Sequence, residues 1–252
     1  MNRSLWTESI WDTSCPAWPC PICGQGVLGL VPKSVISHET VQSARSHKAE
    51  GFDFDWVEHT FTAWAECSHT SCKQKFAIAG TGGVAPQYTD DEGGFEYFDY
   101  FDPKSCFPMP DIIVLPDKCP DDIKSELRAA FALFWSNRGA CAGRIRVSLE
   151  LLMNHLGVPK RKKTKNSEYI DLTLHARIDS FASKDANMGA QLMALKWLGN
   201  TGSHDSQVSE SDILDAFEIL EHVIGEIVGG HSARVAALAK KLSKKHGGKK
   251  KK

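Results

Sequence analysis

The sequence predicts an α+β chain in which the two kinds of structure are segregated along its length. Three observations predict it. The front part, residues 1–118, carries short aromatic and β-branched runs separated by turn residues, as a small antiparallel sheet requires. The rear part, from residue 119, repeats apolar residues at spacings of three and four, as packed helices require. Between them Pro103, Pro108, Pro110, Pro116 and Pro120 punctuate an extended linker.

A chain of 252 residues, 42% of them hydrophobic, can bury a sizeable core and divide in two. No apolar run approaches membrane-spanning length, and residues 1–6 lack the apolar segment of a secretory signal. The expected setting is the cytoplasm, with no membrane partner. A reducing compartment turns the eight cysteines away from disulfides.

Four of those cysteines fall in two tight turns. Cys20-Pro21-Ile22-Cys23-Gly24 is the first, and Cys67-Ser68-His69-Thr70-Ser71-Cys72 is the second. Two thiolates on one turn point to one side, Gly24 permits the sharp reversal, and two such turns on adjacent hairpins complete a tetrahedron around zinc. Cys15 or His69 could take the place of one ligand. A redox pair needs a helix starting at its Cys-x-x-Cys, whereas here Gly24-Gln25-Gly26 follows. Four thiolates close the coordination sphere, so Cys20, Cys23, Cys67 and Cys72 are expected to hold a structural zinc that does no chemistry.

Residues 52–56 and 60–65, rich in Phe, Trp and Thr, read as a strand entering the second turn. Residues 76–79 read as its return strand, ended by Thr81-Gly82-Gly83. After the polar stretch 90–94, residues 95–101 form a further strand dense in aromatics and acids. Exposed aromatics can stack on unpaired bases. Acidic neighbours repel phosphate, so these rings are expected to cover the small sheet.

In the rear part Asp121 or Asp122 caps a helix reaching about residue 137, with Ile123, Leu127, Ala130, Phe131 and Phe134 inward. The strongest helical signal follows over residues 140–157. Cys141, Ile145, Leu149, Leu152 and Leu156 lie on one stripe, and Gly157 and Pro159 stop it. Residues 159–166 form a basic loop. Leu172, Leu174, Ile178 and Phe181 mark a third helix, and Met188, Leu192, Leu195 and Leu198 a fourth that ends at Gly199-Asn200-Thr201-Gly202-Ser203-His204-Asp205. Ser209 or Ser211 caps a fifth, Gly229-Gly230 break it, and residues 232–245 form a weaker final helix. In the loop after the fourth helix, His204 beside Asp205 can serve as a general base near neutral pH, or can bond back to a helix end.

The net charge of −1 conceals an asymmetry. Residues 240–252 hold eight lysines and no acid, and without them 22 basic residues face 31 acidic ones, a balance of −9. The tail reads as a phosphate-seeking arm or as a solvated terminus.

Arg146-Val147-Ser148-Leu149-Glu150, followed by Leu198-Gly199-Asn200-Thr201-Gly202-Ser203-His204, resembles an uncharacterised domain-of-unknown-function family. That family occurs alone and fused to type I restriction subunits, often behind a Cys-Pro-x-Cys-Gly zinc ribbon, and is similar to the HEPN superfamily of helical domains. The resemblance covers roughly residues 15–228, and with the reading above it divides the chain into a zinc-ribbon-like β domain with its linker over residues 1–118, an all-α HEPN-like bundle over 119–230, and a final helix with a Lys-rich tail over 231–252. HEPN ribonucleases place a histidine on the ribose 2′-hydroxyl and an arginine on the phosphate, in a cleft between two protomers. Mapped here, Asn200 and His204 match the polar residue and the histidine, and the arginine position falls on Gly199. Arg144, Arg146 or Lys196 would then have to supply the phosphate contact.

The resemblance therefore implies a defence-associated module, non-catalytic or weakly catalytic, that forms a homodimer. Its partners would be RNA or DNA, reached through the basic loop and Lys-rich tail, or a restriction or defence protein. A metal-independent endoribonuclease using His204 and an adaptor that binds protein alone are the alternatives.

Overall fold

The computed structural model describes residues 1–11, 14–88, 94–165, 167–201 and 208–246. The chain is α+β, an antiparallel sheet followed by a helical region, and it divides into two compact units. One comprises Asn2–Ile112 with Phe131–Cys141, the other Met1, Ile113–Ala130 and Ala142–Lys252.

In the first unit a short helix α1 (Ser4–Thr7) leads to strands β1 (Ile10–Trp11), β2 (Leu28–Leu30) and β3 (Ile36–Glu39). Helix α2 (Val41–Ser46) and a 3-10 turn (Phe54–Trp56) then precede the long strands β4 (Glu58–Cys67), β5 (Lys75–Tyr88) and β6 (Phe95–Phe107). The order is β1-β6-β5-β4-β2, all antiparallel, with β3 also on β4. Alternation decides the faces of β4: Phe61, Ala63, Ala65 and Cys67 are buried while Thr60, Thr62 and Trp64 face out. Trp18, Phe76, Ile78 and Phe101 fill the core beside Phe131 and Phe134.

Two expectations for this unit are corrected. Thr81-Gly82-Gly83 do not end the return strand, because β5 runs through them to Tyr88. A Cβ at Gly82 would collide with the Tyr100 carbonyl of β6, so glycine here permits a close strand approach and does not mark a turn. Pro103 does not begin the linker either. It sits within β6 opposite Gly80, where the register shifts and a ladder N–H is dispensable. The aromatic strand also differs from its expected role, since Phe95, Tyr97 and Phe98 are exposed and only Phe101 enters the core.

The helical region comprises α3 (Asp121–Leu133), α4 (Arg138–His155), α5 (Leu174–Ala182), α6 (Ala186–Thr201), α7 (Glu210–Ile227) and α8 (His231–His246). The stripe Cys141, Ile145, Leu149 and Leu152 on α4 is buried, and Gly157 follows with φ +67°, closing the helix as the sequence requires. Thr173 and Ser209 cap α5 and α7 through their side chains. Ile213, Leu214, Phe217, Leu220 and Ile224 of α7 are buried, whereas no residue of α8 is.

Three further expectations change. The first of these helices ends at Leu133, short of residue 137. Residues 161–163 of the expected basic loop are strand: β7 (Arg161–Lys163) pairs antiparallel with β8 (Tyr169–Asp171), with Arg161 and Asp171 in an ion pair at 2.6 Å. The fourth helix does not stop at Gly199, because α6 continues through Asn200 to Thr201. Gly199 is buried there, and a Cβ on it would overlap Cβ of Arg146 on α4, so the glycine serves helix contact and not chain reversal. No helix among the described residues is long and apolar enough to cross a membrane.

Candidate metal centre

Two backbone turns build the site. In the first, Cys20 N–H donates to Gly26 carbonyl at 2.9 Å and Gly24 N–H to Cys20 carbonyl at 2.9 Å, with Gly24 at φ +63°. In the second, Cys67 N–H donates to Gln74 carbonyl at 2.9 Å and Cys72 N–H to His69 carbonyl at 3.0 Å, with Lys73 at φ +49°. The pairing of β2 with β4 sets Leu28 opposite Cys67, which brings the turns side by side. Ser68 ties them together, its N–H donating to Val27 carbonyl and its hydroxyl accepting from Val27 N–H.

The Sγ atoms of Cys20, Cys23, Cys67 and Cys72 all lie within 4.8 Å of one another. Cys20 and Cys72 are 3.9 Å apart at sulfur, Cys23 and Cys67 3.6 Å. A tetrahedral ion with bonds of about 2.3 Å to sulfur sets its ligands about 3.8 Å apart, so both separations match that polyhedron. A disulfide needs about 2.05 Å, which neither pair approaches. The four cysteines therefore lie close enough together to hold a metal ion.

The electrostatics favour a cation here. Backbone N–H groups of Gln25 and Gly26 bring the Cys23 thiol down to about 6, so it is largely thiolate at neutral pH. Burial pushes the Cys67 thiol up to about 12. His69 N–H donates to Cys67 Sγ at 3.4 Å, an orienting contact of the kind that surrounds metal ligands. Without a cation the buried sulfurs cannot all shed protons, and a divalent ion removes that restriction.

Cys15 and His69 do not join the cluster. Cys15 donates to Leu28 carbonyl at 3.7 Å, and His69 faces Cys67 through its backbone. Cys106, Cys119 and Cys141 are buried free thiols. Burial pushes the Cys106 and Cys141 thiols up to about 12, as apolar packing does.

The residues singled out around the fourth helix are placed as follows. Asn200 is helical and half-buried in the last turn of α6, and His204 lies outside the described residues. Arg146 crosses Gly199 and pairs with Glu150 at 3.0 Å. Arg144 pairs with Glu126 of α3 at 3.1 Å. Lys196 is buried with Nζ 3.4 Å from the Trp197 ring centre, a cation–π contact.

Sequence reasoning missed Arg177. It is buried on α5 and donates to Asn154 Oδ1 at 2.8 Å and Val158 carbonyl at 3.0 Å, tying down the end of α4. Nothing in the spacing of a short helix marks such a residue. A 420 Å³ cleft lined by Arg146, Lys160, Asp171 and Arg177 runs from there to the foot of the β7–β8 hairpin.

Residues 8–106 match the family described as a domain of unknown function, DUF8608, and residues 128–246 match a second so described, DUF4145. No curated protein and no solved structure matches the chain. Over both its sheet and its helices, then, the chain is similar to uncharacterised families.

Proposed function

We propose that the chain is a defence-associated nucleic-acid-binding module, non-catalytic or nearly so, with a structural zinc ion in its sheet unit. The defence setting rests on the resemblance of residues 146–150 and 198–204 to HEPN-like domains. For the metal, an all-thiolate tetrahedral set suits zinc, and four protein ligands leave no coordination position for substrate. Zinc would then link the two turns and hold β2 against β4.

The observation that carries the binding reading is the β7–β8 hairpin. Lys160, Arg161, Lys162, Lys163 and Lys165 are all exposed on this arm, and Tyr169 and Ile170 are 69% and 43% exposed. The acids between 160 and 171 are Glu168 and Asp171, and Asp171 is paired with Arg161. Lysines beside an exposed ring suit a single strand, because phosphates meet the ammonium groups while a base stacks on Tyr169.

Weak or absent catalysis is supported by Gly199. The resembled ribonucleases carry an arginine at that position, and here any side chain would press into Arg146. Losing one such contact to a developing charge commonly costs about 3–4 kcal/mol. The alternative reading, a metal-independent ribonuclease using His204, has Arg146 in its favour as a cation one helix away. The third, a protein-only adaptor, has no observation of its own.

One experiment separates them. Labelled single-stranded RNA and DNA are titrated with wild-type protein and with Lys160→Ala/Lys162→Ala/Lys163→Ala/Tyr169→Ala in EDTA-free buffer, and the RNA is then run on a gel. Binding that falls with salt and is lost in the variant, with intact RNA, supports the proposal. No salt-dependent binding supports the adaptor. Cleavage lost in His204→Ala supports the ribonuclease.

A further inference from the structure

Among the described residues, two exposed surfaces have opposite chemistry. On the sheet unit, five aromatic rings form a continuous ribbon. Phe95 lies 5.6 Å from Tyr97, Tyr97 4.8 Å from Phe54, Phe54 5.9 Å from Phe52, and Phe52 6.2 Å from Trp56, centre to centre. Phe54, Trp56, Phe95 and Tyr97 are 40–56% exposed. Exposed Asp53 and Asp55 interleave with the ribbon, and exposed Asp99 follows Tyr97 on the same strand face. His47, its ring tilted against Phe52 at 4.4 Å and paired with Glu39 at 2.8 Å, closes one end. A contiguous apolar patch rimmed by charge marks an interaction site more often than a bare monomer surface.

The second surface is α8. Val235, Leu238 and Leu242 fall on one stripe and are 48%, 53% and 60% exposed. Arg234, Lys241 and Lys245 flank that stripe, Lys240 and Lys244 lie on the opposite face, and residues 231–252 contain no acid. A helix of 16 residues that buries none of them is marginal in water, so it needs a surface to lie on. Nucleic acid would answer its lysines and not its leucines.

We propose that α8 of one chain docks on the aromatic ribbon of a second copy of this chain. Val235, Leu238 and Leu242 cover the rings, while the flanking lysines meet Asp53, Asp55 and Asp99 and approach the ring faces. The apolar stripe matches the ribbon and the cations match its rim. Each chain carries one helix and one ribbon, so the contact pairs unlike surfaces.

Solution mass of full chains tests this by complementation. Wild type should exceed the mass of one chain and dissociate on dilution and at high salt. Phe54→Ser/Tyr97→Ser lacks a ribbon and Leu238→Ser/Leu242→Ser lacks a helix stripe, so each alone should fall to one-chain mass. An equimolar mixture keeps one intact contact and should double to the mass of two chains and no more. A second pair touching only exposed charges, Asp53→Lys/Asp55→Lys and Lys241→Glu/Lys245→Glu, should behave alike and guards against misfolding. Wild type that stays at one-chain mass overturns the proposal, as do variants that assemble like wild type or mixtures that fail to pair. A helix variant that keeps its assembly and loses nucleic-acid binding, or wild type that remains single and binds anionic vesicles, also overturns it.

Discussion

The α-carbon of Gly26 sits against the sulfur of Cys67: a Cβ built at residue 26 would overlap Sγ and crowd the backbone nitrogen of His69. One cysteine turn is therefore packed on a thiol of the other through the absence of a methyl group. Gly26→Ala should displace Cys67 and part the turns, a loss of about 1–3 kcal/mol from overpacking alone. Metal content measured beside thermal unfolding checks it. Metal bound at the wild-type ratio with an unchanged melting temperature would remove the link between that close approach and the site.

Metal removal offers a second check that distinguishes the four sulfurs from the rest. Cobalt exchanged into the protein should give the visible bands of a tetrahedral thiolate site. Cys23→Ser and Cys72→Ser should each weaken those bands and lower the melting temperature, because an incomplete set binds metal poorly and binding stabilises the fold it closes. Cys15→Ser, which alters a thiol bonded to Leu28 carbonyl, should leave the spectrum unchanged. If Cys15→Ser removes the bands and Cys72→Ser spares them, the ligand set is wrong.

The cysteine cluster was legible because its members come in two local pairs, and the turn chemistry of Gly24 announces itself over five residues. The buried stripe of α4 was legible for a similar reason, since a period of 3.6 needs nothing outside the helix. What failed needed a partner strand or helix to be known. Gly82 and Gly199 read as breakers, yet each is a point of close approach to Tyr100 or Arg146, and a sequence does not show what lies across a contact. Pro103 read as a linker residue because its strand position depends on a register shift opposite Gly80. The pairing of β7 with β8 was hidden by composition, as a run of arginine and lysines is a poor strand former until Asp171, Ile170 and Tyr169 pair with it. That residue 199 carries no side chain was legible, whereas the crossing of Arg146 over it was not.

The start of α7 titrates in a predictable direction. Ser209 N–H donates to Asp212 Oδ2 at 2.9 Å, the Ser209 hydroxyl lies 2.7 Å from the same oxygen, and Asp212 N–H donates to Ser209 Oγ at 3.1 Å. The Ser209 hydroxyl and then its N–H hold the Asp212 carboxyl below its ordinary 3.8. A depressed carboxyl stabilises the fold fully above its unfolded value and ceases to as pH falls through the folded one. Asp212→Ala should thus cost about 0.3–1 kcal/mol at neutral pH. The gap to wild type should narrow only below pH 3.8. Urea unfolding of both proteins across that range measures it, and a gap independent of pH would deny the carboxylate its role.

Replacing Gly199 tests whether the α4–α6 contact has room for a side chain. The Arg146 Cβ and the Ala142 carbonyl both face the missing Cβ, the carbonyl at 3.0 Å, and neither is the free end of a flexible chain. Gly199→Ala gains helix propensity of up to about 1 kcal/mol, so an exposed site would be stabilised. Here overpacking of about 1–3 kcal/mol opposes that gain, and the net change should be destabilising. Gly199→Arg should destabilise further and should not create RNA cleavage, because separating the helices also moves Arg146. Denaturant midpoints rank the three proteins. A Gly199→Ala protein more stable than wild type would mean that the helices part freely, and an arginine at that position would then be sterically admissible.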